Sequence, residues 1–413
     1  MKRLLILPAA AILMLATRCT QPEAELPAPP EIISPEAFAV TPSEAVDEAR
    51  EALAAIAPAT RSGAVEVRSV VRHGAQAAAD AAEVDPSLYV VNFAADGGFA
   101  IVAADRRQSA TVYAVSDEGS FPDPATLEDG TLSFLYQRIE TLAAIPSKRP
   151  KVMYFTGPWR DIARINPLVK VRWGIGDPYN QIRQVTAFCQ IMSYYQVPKS
   201  YDWNLILGKL QVTIQDLAAY EEKINKEIAR LFSDVAAKYR SGELVNWIGA
   251  FGYYCKLSET YSYEKVFQQI DRYKRPVYAS ASTVYGYIPQ SYTWIMDGYL
   301  QQERTITAAP DPVRPGETPE PYPSDPRYET RTLVHCNLGN DGKGNGFYLS
   351  TLFDLHTGAD VPDSGNTGQN GYVDGQVEYS PSDIRITTNI DLNYFVAQKV
   401  DSVLFISELK LKP

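Results

Sequence analysis

Histidine and cysteine are scarce in this chain, three and four respectively among 413 residues, and that scarcity narrows the chemistry open to it. There is no Cys-x-x-Cys, no His-x-x-x-His and no tight acidic cluster, so no metal centre and no cofactor site is expected. Basic runs and basic helices are missing too. With a formal net charge of -10, a nucleic-acid partner is excluded as an expectation. The apolar run Leu4 to Leu15 is too short to span a bilayer. Cysteines 189, 255 and 336, an odd number without framework spacing, predict no disulfide.

What is present begins with a leader. Lys2 and Arg3, the run Leu4 to Leu15, and Ala16-Thr17-Arg18-Cys19 have the layout of an export signal. Residues 1–19 are expected to direct export, with Cys19 as the lipidated first residue of a surface or outer-membrane lipoprotein. Arg18 stands where a small residue is usual, and a secreted or periplasmic protein without a lipid is the alternative. Residues 20–40 form a tether rich in Pro and Glu, typified by Pro27-Ala28-Pro29-Pro30.

With 45% hydrophobic residues and this length, two folded units are expected. Residues 41–145 read as the first. Thr41-Pro42-Ser43-Glu44 is a capping box that opens a helix carrying Val46, Ala49, Leu53 and Ile56. Val65 to Val71 reads as a strand, and Leu88 to Phe93 with Phe99 to Ala103 reads as a hairpin about Asp96-Gly97-Gly98. Tyr113 to Phe121 continues the strands and Leu132 to Leu142 forms a short helix. Residues 146–151 read as an exposed linker.

Residues 152–413 read as the second unit. Thr213 to Arg240 and Ser262 to Tyr273 are expected helices, and Trp294 to Leu300 and Thr330 to Asn337 two antiparallel strands. Between them lies an insertion, 305–329, whose prolines predict a stiff exposed arm. The Gly- and Asn-rich stretch 357–376 has the composition of a flexible loop.

Three motifs carry a resemblance. Gln181 to Tyr195, with Thr186, Ala187 and Gln190-Ile191-Met192, is similar to the nucleophile helix of streptopain-family cysteine proteases, of the type Gly-Cys-Val-Ala-Thr-Ala-x-Ala-Gln-Ile-Met-x-Tyr. Ser291 to Gly298 resembles the family's base strand, of the type Gly-His-Ala-Phe-Val-Ile-Asp-Gly. His335-Cys336-Asn337-Leu338-Gly339 resembles the segment bearing the orienting Asn, with Leu338 and Asn340 in place of two tryptophans. Trp173 to Asn180 and Tyr201-Asp202-Trp203-Asn204 also match, and residues 41–145 resemble the family's Spi-type pro-domain, notably at Tyr89 to Phe93 and Gly98 to Asp105. The fold this resemblance implies is α+β and papain-like, a helical lobe and an antiparallel sheet lobe facing each other across a groove, preceded by a smaller α+β pro-domain.

In that frame Arg183 occupies the nucleophile position, Tyr292 the base position, and Asn337 the place of the orienting residue. Arg183 has neither a lone pair nor a removable proton, and a phenol titrating near about 10 is a poor base at neutral pH. The site reads as catalytically degenerate, and Arg183 with Tyr292 could close it as a cation-π pair. Cys189 is the fallback nucleophile, but Val185, Phe188, Cys189 and Met192 share one apolar helix face, which places the thiol in the core. His335 and Cys336, adjacent on a strand, point to opposite sides and cannot form a dyad.

Three functional expectations follow. The first is a pseudoprotease that binds a protein, peptide or glycan at the cleft or the Pro-rich arm, where some of its 26 Tyr and five Trp would serve as anchors. The second is an active cysteine endopeptidase with a non-standard dyad such as Cys189 and His335. The third is an inhibitor or scaffold for a partner protease, acting through residues 41–145. Contact with a membrane is expected only through a lipid at Cys19.

Overall fold

The computed structural model describes residues 38–57, 65–74, 84–128, 130–145, 153–155, 157–175, 182–208, 217–285, 288–308, 327–354 and 384–392. The leader with Cys19, most of the tether, the 146–151 linker, His356, the 357–376 stretch and the centre of the Pro-rich arm lie outside these residues.

The first unit begins with α1 (Pro42–Ile56). Its capping box is formed: the Glu44 N–H donates to the Thr41 hydroxyl at 3.3 Å and the Thr41 N–H to the Glu44 carboxylate at 2.8 Å. Strands β1 (Val67–His73), β2 (Leu88–Phe93), β3 (Phe99–Ala103) and β4 (Val112–Ser116) follow as an antiparallel meander, and α2 (Thr131–Ala143) closes the unit.

Next come β5 (Met153–Phe155), β6 (Arg160–Ile165), α3 (Arg183–Tyr195), α4 (Trp203–Ile206), α5 (Leu217–Lys238) and α6 (Val245–Ile248). Then β7 (Tyr253–Tyr254), β8 (Glu259–Thr260) and α7 (Tyr263–Phe267) lead through a π-helical turn, Gln268–Arg272, into β9 (Val277–Tyr285). The last of the described elements are β10 (Ile288–Ala308), β11 (Arg327–Asn337), β12 (Gly346–Leu349), β13 (Ile384–Thr387) and β14 (Asp391–Leu392).

The architecture is α+β. One antiparallel sheet runs in the order β1-β2-β3-β4-β12-β11-β10-β9-β13-β8, with β5 and β6 also paired to β10. The two units meet inside it: β4 bonds to β12, Val115 opposite Phe347 and Ala114 opposite Tyr348. A single core runs from Phe99, Ile101 and Tyr113 to Trp294, Met296, Val334 and Tyr348. A second core lies against the other face of β9 and β10, where Phe188, Cys189, Met192, Phe232 and Trp247 surround Tyr278 and Ile295. Strand alternation makes this possible: Tyr292, Trp294 and Met296 enter the first core and Ile295 the second. Strands covered on both faces are buried along their whole length and mostly apolar, as β2, β3 and β4 are.

The β10–β11 ribbon is longer than its apolar pattern suggests. Pairing continues to Ile306 opposite Arg327, so both ends of the 305–329 insertion are strand. β-branched Thr305, Ile306 and Thr307 favour extension, and two of the ribbon's polar pairs, Gln302 with Arg331 and Arg304 with Glu329, are buried, which hides them from a hydrophobic pattern. Arg304 is 2% and Glu329 3% exposed, and the Arg304 Nε donates to the Glu329 carboxylate at 2.8 Å.

Candidate functional site

Helix α3 is the centrepiece. From Val185 to Ser193 all its residues are buried, because the helix is packed between the sheet and α5. Ile182 precedes it and gives no side-chain cap, so the first residue, Arg183, stands at an N-terminus whose N–H groups and dipole favour negative charge. A thiolate would be stabilised there; a guanidinium is not. The first turn reaches β10 beside Tyr292, where the Gln184 amide donates to the Ser291 hydroxyl at 3.3 Å.

Tyr292 is 6% exposed. Its ring is stacked on Phe134 of α2, with centroids 4.7 Å apart and planes inclined at 17°. The Thr131 hydroxyl donates to the Thr293 carbonyl at 3.5 Å, and a guanidinium nitrogen of Arg183 comes within 3.4 Å of where a Cβ on Gly130 would sit. An aromatic residue of the N-terminal unit thus stacks on Tyr292. Phe134 was missed because a core-facing Phe on a short helix carries no sequence mark of what it covers.

Asn337 lies elsewhere. It pairs in register with Ile295, three positions and therefore one face away from Tyr292. Its amide nitrogen donates to the Val171 carbonyl at 2.8 Å and its oxygen accepts from Gln190 at 3.0 Å. Gln190 also donates to the Trp173 carbonyl at 3.0 Å. Asn337 therefore fastens the segment leading into α3 to the sheet. Tyr292 and Asn337 therefore face opposite sides of the sheet.

The thiols are no better placed. Burial pushes Cys189 and Cys336 well above the ordinary thiol range, and burial followed by the Glu243 charge pushes Cys255 up to about 12. A low pKa is what a reactive cysteine needs. His335 is coupled to a different group: its Nδ1 donates to the Asp297 carboxylate at 2.7 Å, and its ring meets Phe347 edge-on. Asp297, fully buried, also accepts from the Val169 N–H at 2.8 Å. Among the described residues no thiol is hydrogen-bonded to an imidazole. The Asp297–His335 couple went unrecognised because its members are 38 residues apart and a β-bulge between Met296 and Gly298 sets the carboxylate in place.

The N-terminal unit grips this region at further points. Leu132 of α2 lies 2.4 Å from where a Cβ on Gly344 would stand, and Gly344 has φ +74°, so only glycine serves there. Glu118 pairs with Arg172. On the other side α1 contributes Glu48 and Glu51 to the buried Arg304, and Arg164 donates to the carbonyls of Ala55 and Ile56 at the end of α1.

Comparison with known proteins identifies part of the chain. Residues 37–141 match the family model described as Spi protease inhibitor. The chain therefore carries a protease-inhibitor-like domain and is protease-related. No curated protein matches the chain. Among solved structures, the active wild-type interpain A cysteine protease of Prevotella intermedia aligns at 14% identity. It covers 55% of this chain and 95% of that chain, with a TM-score of 0.31, too slight a likeness to carry an argument about shape or chemistry.

Proposed function

We propose that this chain is an exported pseudoprotease of the streptopain type, papain-like in its second unit, which works by binding rather than by hydrolysis. One observation carries the reading: Arg183 opens the helix that would present the nucleophile, while the tyrosine at the base position is buried under Phe134. Arg183 has no thiol to ionise and Tyr292 no imidazole to take its proton. Phe134 of the inhibitor-like domain lies on the base position, which favours a ligand surface away from it. The root of the Pro-rich arm supports that surface as the binding site for a protein, peptide or glycan. Tyr328 is 46% exposed there, with the Arg160 guanidinium 5.9 Å from its ring centroid. Lipidation of Cys19 would hold the arm at a cell surface, and incorporation of a fatty-acid analogue that Cys19→Ser abolishes would test it.

Casein digestion by the wild type, by Cys189→Ala and by Arg183→Cys/Tyr292→His tests the central reading. No cleavage by the first two is expected, and the double variant stays inactive while Phe134 remains. Wild-type cleavage that vanishes in Cys189→Ala would establish an active endopeptidase instead. A role of residues 41–145 as an inhibitor in trans has the family match in its favour. It would require β4 to leave β12 and Phe134 to leave Tyr292.

A further inference from the structure

Strand alternation gives the β10–β11 ribbon two unlike faces. Gln302 and Arg304 of β10, with Glu329 and Arg331 of β11, point to the side that α1 and Trp159 cover, and all four are buried. On the reverse face the register sets Glu303 opposite Thr330 and Gln301 opposite Thr332, and β6 adds Arg160 opposite Glu303. Tyr328, two residues before Thr330, belongs to the same face. None of these six residues is buried: Tyr328 and Arg160 are exposed and the other four half-buried. The inner end of the face is closed by tyrosines. The Tyr263 hydroxyl donates to that of Tyr299 at 3.1 Å, which donates to the Gln301 amide oxygen at 2.9 Å.

What this face can hold follows from its charge and its edges. Its cation and its anion answer each other, Arg160 Nη2 standing 2.5 Å from the Glu303 carboxylate. The face therefore presents no net charge to a polyanion, an acidic lipid or a charged peptide. Among the described residues of β6, β10 and β11 the exposed large apolar side chains are Tyr328, at 46%, and Ile162, the extra residue of the β6 bulge, at 49%. Two such side chains fall short of the contiguous apolar centre that a stable protein interface needs. β10 is bonded on one side by β11 and on the other by β6, so no peptide strand can add along it. What remains is a neutral array of hydroxyl, amide and paired ionic groups, donors beside acceptors, next to one exposed ring. A saccharide has the matching surface: hydroxyls that both donate and accept around its rim, and a face of C–H bonds that lies against an aromatic ring. Same-face residues recur about 6.6 Å apart along a strand, so Tyr328 to Thr332 spans about 13 Å, room for a short oligosaccharide.

We propose that the open face of the β6–β10–β11 sheet binds a neutral glycan, with a sugar ring laid on Tyr328 and its hydroxyls bonded by Glu303, Arg160 and Thr330. The inference rests on the reading that the root of the Pro-rich arm is a ligand surface, and it narrows the ligand to an uncharged saccharide. It is independent of whether the protein cleaves peptides.

Binding of the full mature chain to a printed array of neutral and acidic oligosaccharides tests it, followed by calorimetric titration with the strongest neutral hit. Binding to a neutral oligosaccharide is expected. Tyr328→Ala, a change at an exposed position that should leave the Tm where it is, should raise the Kd about tenfold or more. Tyr328→Phe keeps the ring and should bind nearly as the wild type does, whereas Glu303→Gln should weaken the same ligand severalfold. No neutral hit, hits among acidic oligosaccharides alone, or a Kd that Tyr328→Ala leaves unmoved would each overturn the proposal. A phage-displayed peptide library panned on the same chain separates this outcome from failure of the broader reading. Peptides that bind and are lost with Tyr328→Ala, without any saccharide binding, would leave the root of the arm as the ligand surface and refute the glycan.

Discussion

Phe134 and Tyr292 bury each other, one from α2 and one from β10. Truncating Phe134 to alanine removes a buried ring and leaves a cavity, so a loss of about 3 kcal/mol in urea unfolding is expected. A loss below about 1 kcal/mol would mean that the stack is loose. A second residue-scale effect concerns Glu48, whose pKa is raised, chiefly by burial and against the attraction of Arg304. An acid whose folded pKa lies above its unfolded value makes the protein less stable as pH rises through the window between them. Stability should therefore improve, through this group, as pH falls from neutral toward the ordinary carboxylate range. Glu48→Gln should flatten that portion of the profile relative to wild type, as measured by urea unfolding at successive pH values. At this scale the sequence was informative about functional groups and silent about surroundings. Arg183 and Tyr292 could be read as unsuited to catalysis from their functional groups alone. What touches them could not, because Phe134 lies 158 positions from Tyr292 and only tertiary packing joins them.

Among the elements, those encoded by local chemistry were legible. The capping box fixed the start of α1, the apolar spacing put Cys189 inside α3, and Asp96-Gly97-Gly98 marked the β2–β3 turn. Thr41→Ala should cost about 1 kcal/mol by thermal or urea unfolding, the usual worth of an N-cap. The polar half of the β10–β11 ribbon was not legible, since Arg304, Glu329 and Arg331 look like surface residues until the ribbon is covered by α1 and Trp159. The loop before β12 makes a sharper test of how α2 is seated. Gly344→Val adds a β-branched side chain at φ +74° where Leu132 leaves no room. It should destabilise the protein by about 3 kcal/mol or more, and the paired change Gly344→Val/Leu132→Ala should recover part of that loss. No recovery would show that backbone strain, and not contact with α2, sets the cost.

For the whole molecule, the two units read from the sequence share one sheet and one core. A protease cut within residues 146–151 should not part the pieces. After limited proteolysis the fragments should co-elute in gel filtration without denaturant and unfold in one transition; separate elution would contradict the shared sheet. The continuity escaped the sequence because β4 and β12 lie more than two hundred residues apart and join through only two register pairs, Val115 with Phe347 and Ala114 with Tyr348. That seam has a practical corollary for anyone expressing the protein in parts. A polypeptide beginning at residue 152 would lay bare the rim of β12 and the apolar bed left by Leu132 and Phe134. An unprotected rim recruits strands from other copies, so the shorter product should come out of solution as aggregate while the longer one stays dispersed.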